Sequence, residues 1–154
     1  LGNWTPAAEF NILVDPEAAD IVMNSPIKKT MIGLEVTHEA WLDDSHANEL
    51  RGTGQCGDFV AELLDHFVGF HQQRFEWPGA PIHDAVTIAH LIDPSLVTTI
   101  FTNVTVETQS ELTLGRTVVD VYSVTDKSPN VHVGTHINRD QFVTLLMSRL
   151  ASHS

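Results

Sequence analysis

The chain has 154 residues, of which 42% are hydrophobic, and this is enough for one folded domain with a single core. Its 20 acidic and 8 basic residues give a formal net charge of -12, and a surface this acidic repels phosphate groups. We therefore expect no nucleic-acid partner and no membrane partner, and no apolar run reaches membrane-spanning length. The single cysteine, Cys56, cannot form an internal disulfide, which favours a cytoplasmic location.

The first part of the chain predicts helices on either side of one strand. Asp15-Pro16-Glu17 has the residues of a helix start, and the helix is expected to end near Ser25-Pro26. The apolar run over residues 30–36 predicts a buried strand. Thr37 can cap a second helix that continues to about residue 50.

The remainder of the chain predicts two helices, three strands and a closing helix. Apolar residues recur at helical spacing over residues 58–75, and a short helix over residues 84–91 is stopped by Asp93-Pro94. The predicted strands cover residues 99–106, 117–123 and 131–137, and Asn138 can cap the last helix. This order predicts an α/β fold with a mixed, mostly parallel sheet flanked by helices, in which the later strands form an antiparallel extension.

The segment Pro81-Ile-His-Asp-Ala85 places an imidazole and a carboxylate side by side where a loop meets a helix. His83 can protonate a leaving group, and Asp84 can bind a hard cation or accept a hydrogen bond from a hydroxyl. The alternative is that Asp84 only caps the helix and His83 fills a turn.

A second unusual segment covers residues 2–11 and is rich in amides. Asn3, Glu9 and Asn11 supply donors and acceptors for the hydroxyls of a sugar, and Phe10 can pack beside its ring. The alternative is that Asn3 lies in a turn, while Glu9 and Asn11 cap the helix that starts at Asp15 or face solvent.

Further motifs follow these two in a fixed order. The full set is Gly2-Asn3-x-Thr5-Pro6-x-Ala8-Glu9-Phe10-Asn11-x-x-x-Asp15-Pro16-Glu17-Ala18-Ala19, Gly33-Leu34-x-Val36-Thr37, Pro81-x-His83-Asp84-Ala85, Val104-x-Val106-Glu107, Gly115-Arg116-Thr117-Val118-Val119-Asp120 and Asn130-Val131-x-Val133. In this combination they resemble the inosine-uridine preferring nucleoside hydrolases, and the resemblance runs from residue 2 to about residue 150.

The resemblance implies a Rossmann-like α/β fold and hydrolysis of the N-glycosidic bond of a small ribonucleoside, giving ribose and a free nucleobase. It also implies a calcium ion and an enzyme of nucleoside salvage. At the matching positions, His83 resembles the proton donor to the departing base, and Asp84 resembles a calcium ligand that also contacts the ribose. The positions expected to bind the ribose are Asn3, Glu9 and Asn11, with Phe10 beside them.

Two residues of the predicted helix over residues 58–75 are expected near the nucleobase. His71 and Phe75 lie where the family places residues close to the base, and core packing is an equally open interpretation for both.

The sequence departs from the family in one important respect. An aspartate-rich stretch resembling Asp-x-Asp-x-Gly-x-Asp-Asp supplies most calcium ligands in the family, and Asp43-Asp44 and Asp58 lack its glycine and spacing. We therefore expect residues 1–154 to be the C-terminal portion of a single nucleoside hydrolase domain. Such a portion is expected to be inactive without its N-terminal half and to form a homodimer or homotetramer when complete.

Two other interpretations are compatible with the same motifs. The chain can be a non-catalytic relative that binds a nucleoside or ribose, or the same scaffold can act on another N-riboside.

Overall fold

The computed structural model describes residues 1–152 and contains seven α-helices, one 3-10 helix (Pro94–Leu96) and seven strands within that range. The helices are α1 (Phe10–Val14), α2 (Pro16–Asn24), α3 (Leu34–Thr37), α4 (Asp44–Leu50), α5 (Gln55–Phe75), α6 (Asp84–Ile92) and α7 (Arg139–Ala151). The strands are β1 (Thr30–Met31), β2 (Trp41–Leu42), β3 (Ala80–Pro81), β4 (Val97–Thr102), β5 (Val104–Val106), β6 (Thr117–Val119) and β7 (Val131–Ile137). None of these helices has both the length and the apolar character that crossing a membrane requires.

The chain divides into two compact units, each built from two separate stretches of sequence. Unit 1 contains Leu1–Glu35 and Thr98–Thr135. Unit 2 contains Val36–Val97 and the described residues from His136 onward.

Unit 1 contains most of a three-stranded sheet with the order β1-β7-β4. β1 pairs with β7 in parallel, with Thr30 opposite His132, while β5 and β6 form an antiparallel ribbon with Val104 opposite Val119. Helix α2 packs against β5. The buried residues of this core are Met23, Val104, Val106, Val131 and Val133.

Unit 2 is mostly helical and contains one short antiparallel ladder. In this ladder, Trp41 of β2 lies opposite Pro81 of β3, and Leu42 lies opposite Ala80. Helices α4, α5 and α7 pack together beside it. The buried residues of this core are Leu42, Ala47, Leu50, Ala61, Leu64 and Met147.

Of the helix starts that were predicted from capping residues, those at Asp15 and Asn138 are confirmed. The Asp15 side chain accepts a hydrogen bond from the backbone N–H of Ala18, and the Asn138 side chain accepts one from Gln141. Helix α5 extends the predicted segment to Gln55–Phe75, and α6 covers Asp84–Ile92 before Asp93-Pro94.

The strand predicted over residues 30–36 is wrong beyond Met31, because Leu34–Thr37 forms a single helical turn. Leu34 and Val36 are buried in that turn. An apolar run this short does not distinguish a buried strand from a buried helix, which explains the error.

The helix predicted over residues 37–50 is wrong in its first half, where β2 occupies Trp41–Leu42. The helix starts only at Asp44, because Asp43 forms a capping box with His46 and its carboxylate accepts from the Ser45 N–H. Asp43, and not Thr37, is therefore the N-cap of this helix, and Thr37 is the last residue of α3.

Two predicted strands are shorter or interrupted. The segment 99–106 is divided between β4 and β5 at Asn103, and the segment 117–123 ends at Val119. The Asp120 carboxylate accepts hydrogen bonds from the backbone N–H groups of Val124 and Thr125 and so forms a turn where a strand was predicted. The α/β class with a mixed sheet is nevertheless confirmed.

Asn130 connects three separate segments of unit 1, and replacing its side chain should destabilise the fold. Its Nδ2 donates to the carbonyls of Met23 (3.1 Å) and Val104 (2.9 Å), and its Oδ1 accepts from the Val104 N–H (2.8 Å). We expect Asn130→Ala to lower the free energy of unfolding by about 2–3 kcal/mol, because partly buried backbone groups lose their partners. Urea denaturation followed by circular dichroism measures this change.

Asn48→Ala is the matched control, since Asn48 is exposed and its side chain accepts a hydrogen bond from the exposed side chain of Arg51. It should change the free energy of unfolding by less than about 0.5 kcal/mol. Equal effects of the two substitutions would contradict the role given to Asn130.

Candidate active site

The expected ribose-binding residues belong to one tightly folded segment of unit 1. The Ala8 carbonyl accepts hydrogen bonds from the backbone N–H groups of Asn3 (3.2 Å), Trp4 (3.3 Å) and Thr5 (3.3 Å). A Cβ at position 2 would overlap the Thr5 carbonyl and the Ala8 backbone, so this loop requires Gly2. The loop therefore gives Asn3 a fixed position relative to Ala8 and the helix that follows.

Glu9 and Asn11 are joined to each other and to the start of α1. Glu9 is the N-cap residue, and its Oε2 accepts from the backbone N–H groups of Asn11 (2.8 Å) and Ile12 (3.4 Å). Its Oε1 accepts from Asn11 Nδ2 at 3.2 Å. Glu9 thus does cap a helix, but the helix is α1 and not the one that starts after Asp15.

Asn3 and Phe10 are also in contact, and the segment presents an aromatic pair to solvent. Asn3 Oδ1 accepts from the Phe10 N–H at 2.9 Å, and the Phe10 ring lies 5.0 Å from the Trp4 ring. Asn3, Trp4, Phe10 and Asn11 are all exposed. The sequence interpretation did not include Trp4, although its position beside Asn3 was an available signal.

In unit 2, the junction that carries His83 and Asp84 is fixed by its backbone. The Ile82 N–H donates to the Ala40 carbonyl at 2.8 Å, and α6 begins at Asp84. His83 occupies the N-cap position, but its side chain makes no capping bond. The Asp84 side chain is exposed at the helix N-terminus, where the helix dipole favours a carboxylate.

The His83 imidazole is held by a residue that the sequence interpretation did not place in the site. Its Nδ1 lies 2.8 Å from the hydroxyl oxygen of Thr37, which is 4% exposed. The signal for this neighbour was present, because Thr37 ends the motif that begins at Gly33. What the sequence does not contain is the pairing of β2 with β3 that brings the two residues together.

His71 and Phe75, the residues expected near the base, both stack against Trp77. The ring centroids are 5.8 Å apart for His71 and Trp77 and 4.8 Å apart for Phe75 and Trp77. His71 is buried, and its Nδ1 lies 2.8 Å from the Phe67 carbonyl, whereas Phe75 is partly exposed. Core packing therefore accounts for His71, and Phe75 is the more accessible of the two.

His38 connects this aromatic group to the His83 ring. Its ring lies 5.6 Å from the Trp77 ring and 5.8 Å from the His83 ring. Ring contacts therefore run from His83 through His38 and Trp77 to His71 and Phe75 within unit 2. The residue expected to protonate the base and those expected to lie beside it belong to one cluster.

The described residues alone do not make a calcium site. Among residues 1–152, no three His, Cys, Asp or Glu side chains are grouped so that they can hold a metal ion. Calcium takes six to eight oxygen ligands, and Asp84 supplies only one carboxylate at the expected position. These residues therefore do not fit calcium without further ligands.

Glu107 and Asp120, which lie in two of the matched motifs, are engaged in local turns. Hydrogen bonds from the backbone N–H groups of Gln109 and Ser110 lower the pKa of the Glu107 carboxyl. The Thr125 hydroxyl, and then the Thr125 and Val124 N–H groups, lower the pKa of the Asp120 carboxyl. Both carboxylates thus stabilise the loops around β5 and β6.

Comparison with known proteins identifies the family. Residues 1–144 match the sequence model of the inosine-uridine preferring nucleoside hydrolases. The pyrimidine-specific ribonucleoside hydrolase RihA of Citrobacter koseri is 50% identical over 100% of this chain and 50% of its own length. RihA of Shewanella oneidensis is also 50% identical, over 100% of this chain and 49% of its own length.

Solved structures agree with this result. A purine-preferring ribonucleoside hydrolase from Gardnerella vaginalis has a TM-score of 0.89 and 31% identity, over 98% of this chain and 48% of that one. A plant nucleoside hydrolase, PpNRh1, also has a TM-score of 0.89, with 27% identity over 98% of this chain and 50% of that one. The chain belongs to the inosine-uridine preferring nucleoside hydrolase family and has its Rossmann-like fold. It spans about half the length of the curated relatives that it matches.

The capping role of Glu9 can be tested separately from ligand binding. We expect Glu9→Ala to lower the free energy of unfolding by about 1 kcal/mol, because the N–H groups of Asn11 and Ile12 lose their acceptor. Hydrogen exchange at the Asn11 amide, measured by NMR, should accelerate at the same time. Glu9→Gln keeps one side-chain acceptor and should have a smaller effect.

Glu17→Ala is the control for loss of a carboxylate in a first helical turn, because Glu17 is exposed at the start of α2. It should leave exchange at Asn11 unchanged. Exchange that stays slow in Glu9→Ala would show that the carboxylate is not the acceptor.

Proposed function

We propose that this chain supplies the ribose-binding and base-protonating residues of a ribonucleoside hydrolase, which cleaves the N-glycosidic bond to give ribose and a free nucleobase. The observation that carries the proposal is the position of His83, which is hydrogen-bonded to Thr37. Ring contacts through His38 and Trp77 connect it to His71 and Phe75. Membership of the family and 50% identity to enzymes named ribonucleoside hydrolases support it.

The proposed sugar-binding residues lie in the segment from Asn3 to Asn11. Breaking the glycosidic bond builds positive charge on the ribose ring, so a nearby carboxylate and amide oxygens stabilise the transition state. Glu9 and Asn11 form a joined pair of acceptors and donors suited to adjacent hydroxyls, and Asn3 adds a third group. The exposed ring of Phe10 packs beside the sugar in this proposal.

The proposed source of the proton for the departing base is His83. A nucleobase leaves poorly as an anion, and proton transfer from a positioned imidazolium lowers that barrier. In the proposed reaction His83 gives its proton to a ring nitrogen of the base, which also takes the electron pair of the broken bond. Water adds to the anomeric carbon of the ribose.

We propose pyrimidine ribonucleosides as the substrate class. Two relatives that are 50% identical across the whole chain are named pyrimidine-specific, whereas the purine-preferring structure is 31% identical. Phe75 is the residue of this chain assigned to the base side, and buried His71 packs against its ring.

The proposed hydrolase depends on calcium and forms an oligomer. Asp84 provides one calcium ligand, and the others come from an aspartate-rich segment that this sequence does not contain. The complete hydrolase, meaning this chain together with such a segment, is proposed to be a cytoplasmic homodimer or homotetramer of nucleoside salvage. The 154-residue chain by itself is proposed to be inactive.

A second candidate function is non-catalytic binding of a nucleoside or ribose. It is favoured by the lack of a grouped set of metal-binding side chains in the described part of the chain. Calorimetry with ribose, inosine, uridine and nicotinamide riboside distinguishes this function from hydrolysis and from action on another N-riboside.

In the complete hydrolase, His83→Ala should reduce turnover of uridine by about 10²–10⁴-fold, the usual contribution of a general acid. It should leave KM nearly unchanged and should spare 4-nitrophenyl riboside, whose leaving group departs without a proton. Steady-state kinetics on both substrates measures the difference. His66→Ala is the control, because His66 lies exposed on α5. Unchanged uridine turnover in His83→Ala would mean that another group protonates the base.

The isolated chain should release no uracil from uridine, even with saturating calcium, since a hard cation needs more oxygen ligands than Asp84 provides. Adding the aspartate-rich segment should restore turnover, and Asp84→Asn should then raise the calcium concentration required. A uracil-release assay measures all three results. Clear turnover by the chain alone would contradict the proposal.

A further inference from the structure

The Thr37–His83 hydrogen bond joins residues 46 positions apart and is built by the surrounding backbone. The Ala40 N–H donates to the Thr37 carbonyl at 3.1 Å, and the Ile82 N–H donates to the Ala40 carbonyl at 2.8 Å. These two bonds fix the end of α3 beside the residue that precedes His83. The Thr37 backbone is therefore fixed close to the backbone of Ile82, and its hydroxyl reaches the His83 ring from there.

The chemistry of this hydroxyl depends on the charge of the imidazole. A threonine hydroxyl can accept or donate, but an imidazolium carries a proton on both ring nitrogens and can only donate. When His83 is protonated, its Nδ1–H must therefore donate to Thr37 Oγ1. The hydrogen bond made at one ring nitrogen determines which proton is held and which is transferred.

We propose that Thr37 is a positioning residue that holds the Nδ1 proton of His83, so that Nε2 is the atom that delivers a proton to the leaving base. This inference rests on the proposed function of His83. In the step, the Nε2 proton moves to a nitrogen of the base, which takes the electron pair of the glycosidic bond. His83 is left neutral with its proton on Nδ1, still donated to Thr37.

The rest of the cycle balances without another reactant. Water adds to the anomeric carbon and loses a proton to solvent, and Nε2 takes a proton from solvent again. The products are ribose and the protonated, neutral base. Burial of Thr37 supports a positioning role, because a residue that is 4% exposed leaves water little access to replace its hydroxyl as the acceptor.

Nitrogen NMR of the chain labelled with ¹⁵N-histidine tests this directly, since it reports which ring nitrogen carries the proton in the neutral imidazole. In the unmodified chain we expect the Nδ1–H tautomer of His83 to dominate. Thr37→Val keeps the shape of the side chain but removes the acceptor, and should shift the population towards Nε2–H. Thr37→Ser keeps the hydroxyl and should behave as the unmodified chain, and the signal is assigned by its loss in His83→Gln.

A purely structural Thr37 would leave the tautomer unchanged in Thr37→Val, and that result overturns the inference. If the valine variant does not fold, the comparison of Thr37→Ala with Thr37→Ser gives the same test. The backbone amide spectrum identifies variants that are folded.

Kinetics in the complete hydrolase provides the second readout. Thr37→Val should lower kcat for uridine by about tenfold, a part of the contribution of a general acid, with little change in KM. It should spare 4-nitrophenyl riboside, because that substrate does not need the His83 proton. Unchanged uridine turnover in Thr37→Val overturns the inference, whereas unchanged turnover in His83→Ala overturns the proposed function of His83 itself.

Discussion

The short ladder between β2 and β3 is the constraint on which the candidate proton donor depends. Two residues on each strand pair, and the ladder continues through the bond from the Ile82 N–H to the Ala40 carbonyl. A Cβ at Gly79 would overlap the Leu42 carbonyl, so the strands can approach this closely only because position 79 is glycine. Buried Leu42 anchors the same ladder in the core of unit 2. The backbone position of His83 is thus set by main-chain contacts, and the Thr37 hydroxyl then contacts its imidazole.

In unit 1, backbone hydrogen bonds likewise fix the positions of the candidate site residues, here within one short segment. Its polar motif folds around one carbonyl, that of Ala8, and places its side chains with backbone hydrogen bonds. The same groups that suit a sugar, Asn3 and Glu9, also satisfy the first N–H groups of α1. Structural and binding roles are compatible here, because a carboxylate has enough lone pairs to accept several hydrogen bonds. This explains why a capping interpretation and a ribose-binding interpretation both fitted the sequence.

Local signals in the sequence predicted helix positions well but predicted the partners of the site residues poorly. Asp15 and Asn138 were recognised as caps because capping is decided within four residues. The turn at Leu34–Thr37 was missed because a short apolar run fits a strand or a helix, and the strand at Trp41–Leu42 was missed because its partner, Ala80–Pro81, is distant in sequence. His83, Asp84 and the amide motif were found from their residue types and the resemblance. Thr37, His38 and Trp77 were not, because only the folded chain brings them beside His83 and Phe75.

Each of the two units is built from two stretches that are distant in sequence, and this affects how the chain folds. Residues 36–97 share their core with α7, so Leu42 and Leu64 cannot be fully enclosed until Met147 has been synthesised. Contacts between such distant segments raise the contact order, and a high contact order slows folding because a long loop must close first. During synthesis on the ribosome, the apolar side of α5 therefore stays open to solvent and to chaperones until the last helix arrives.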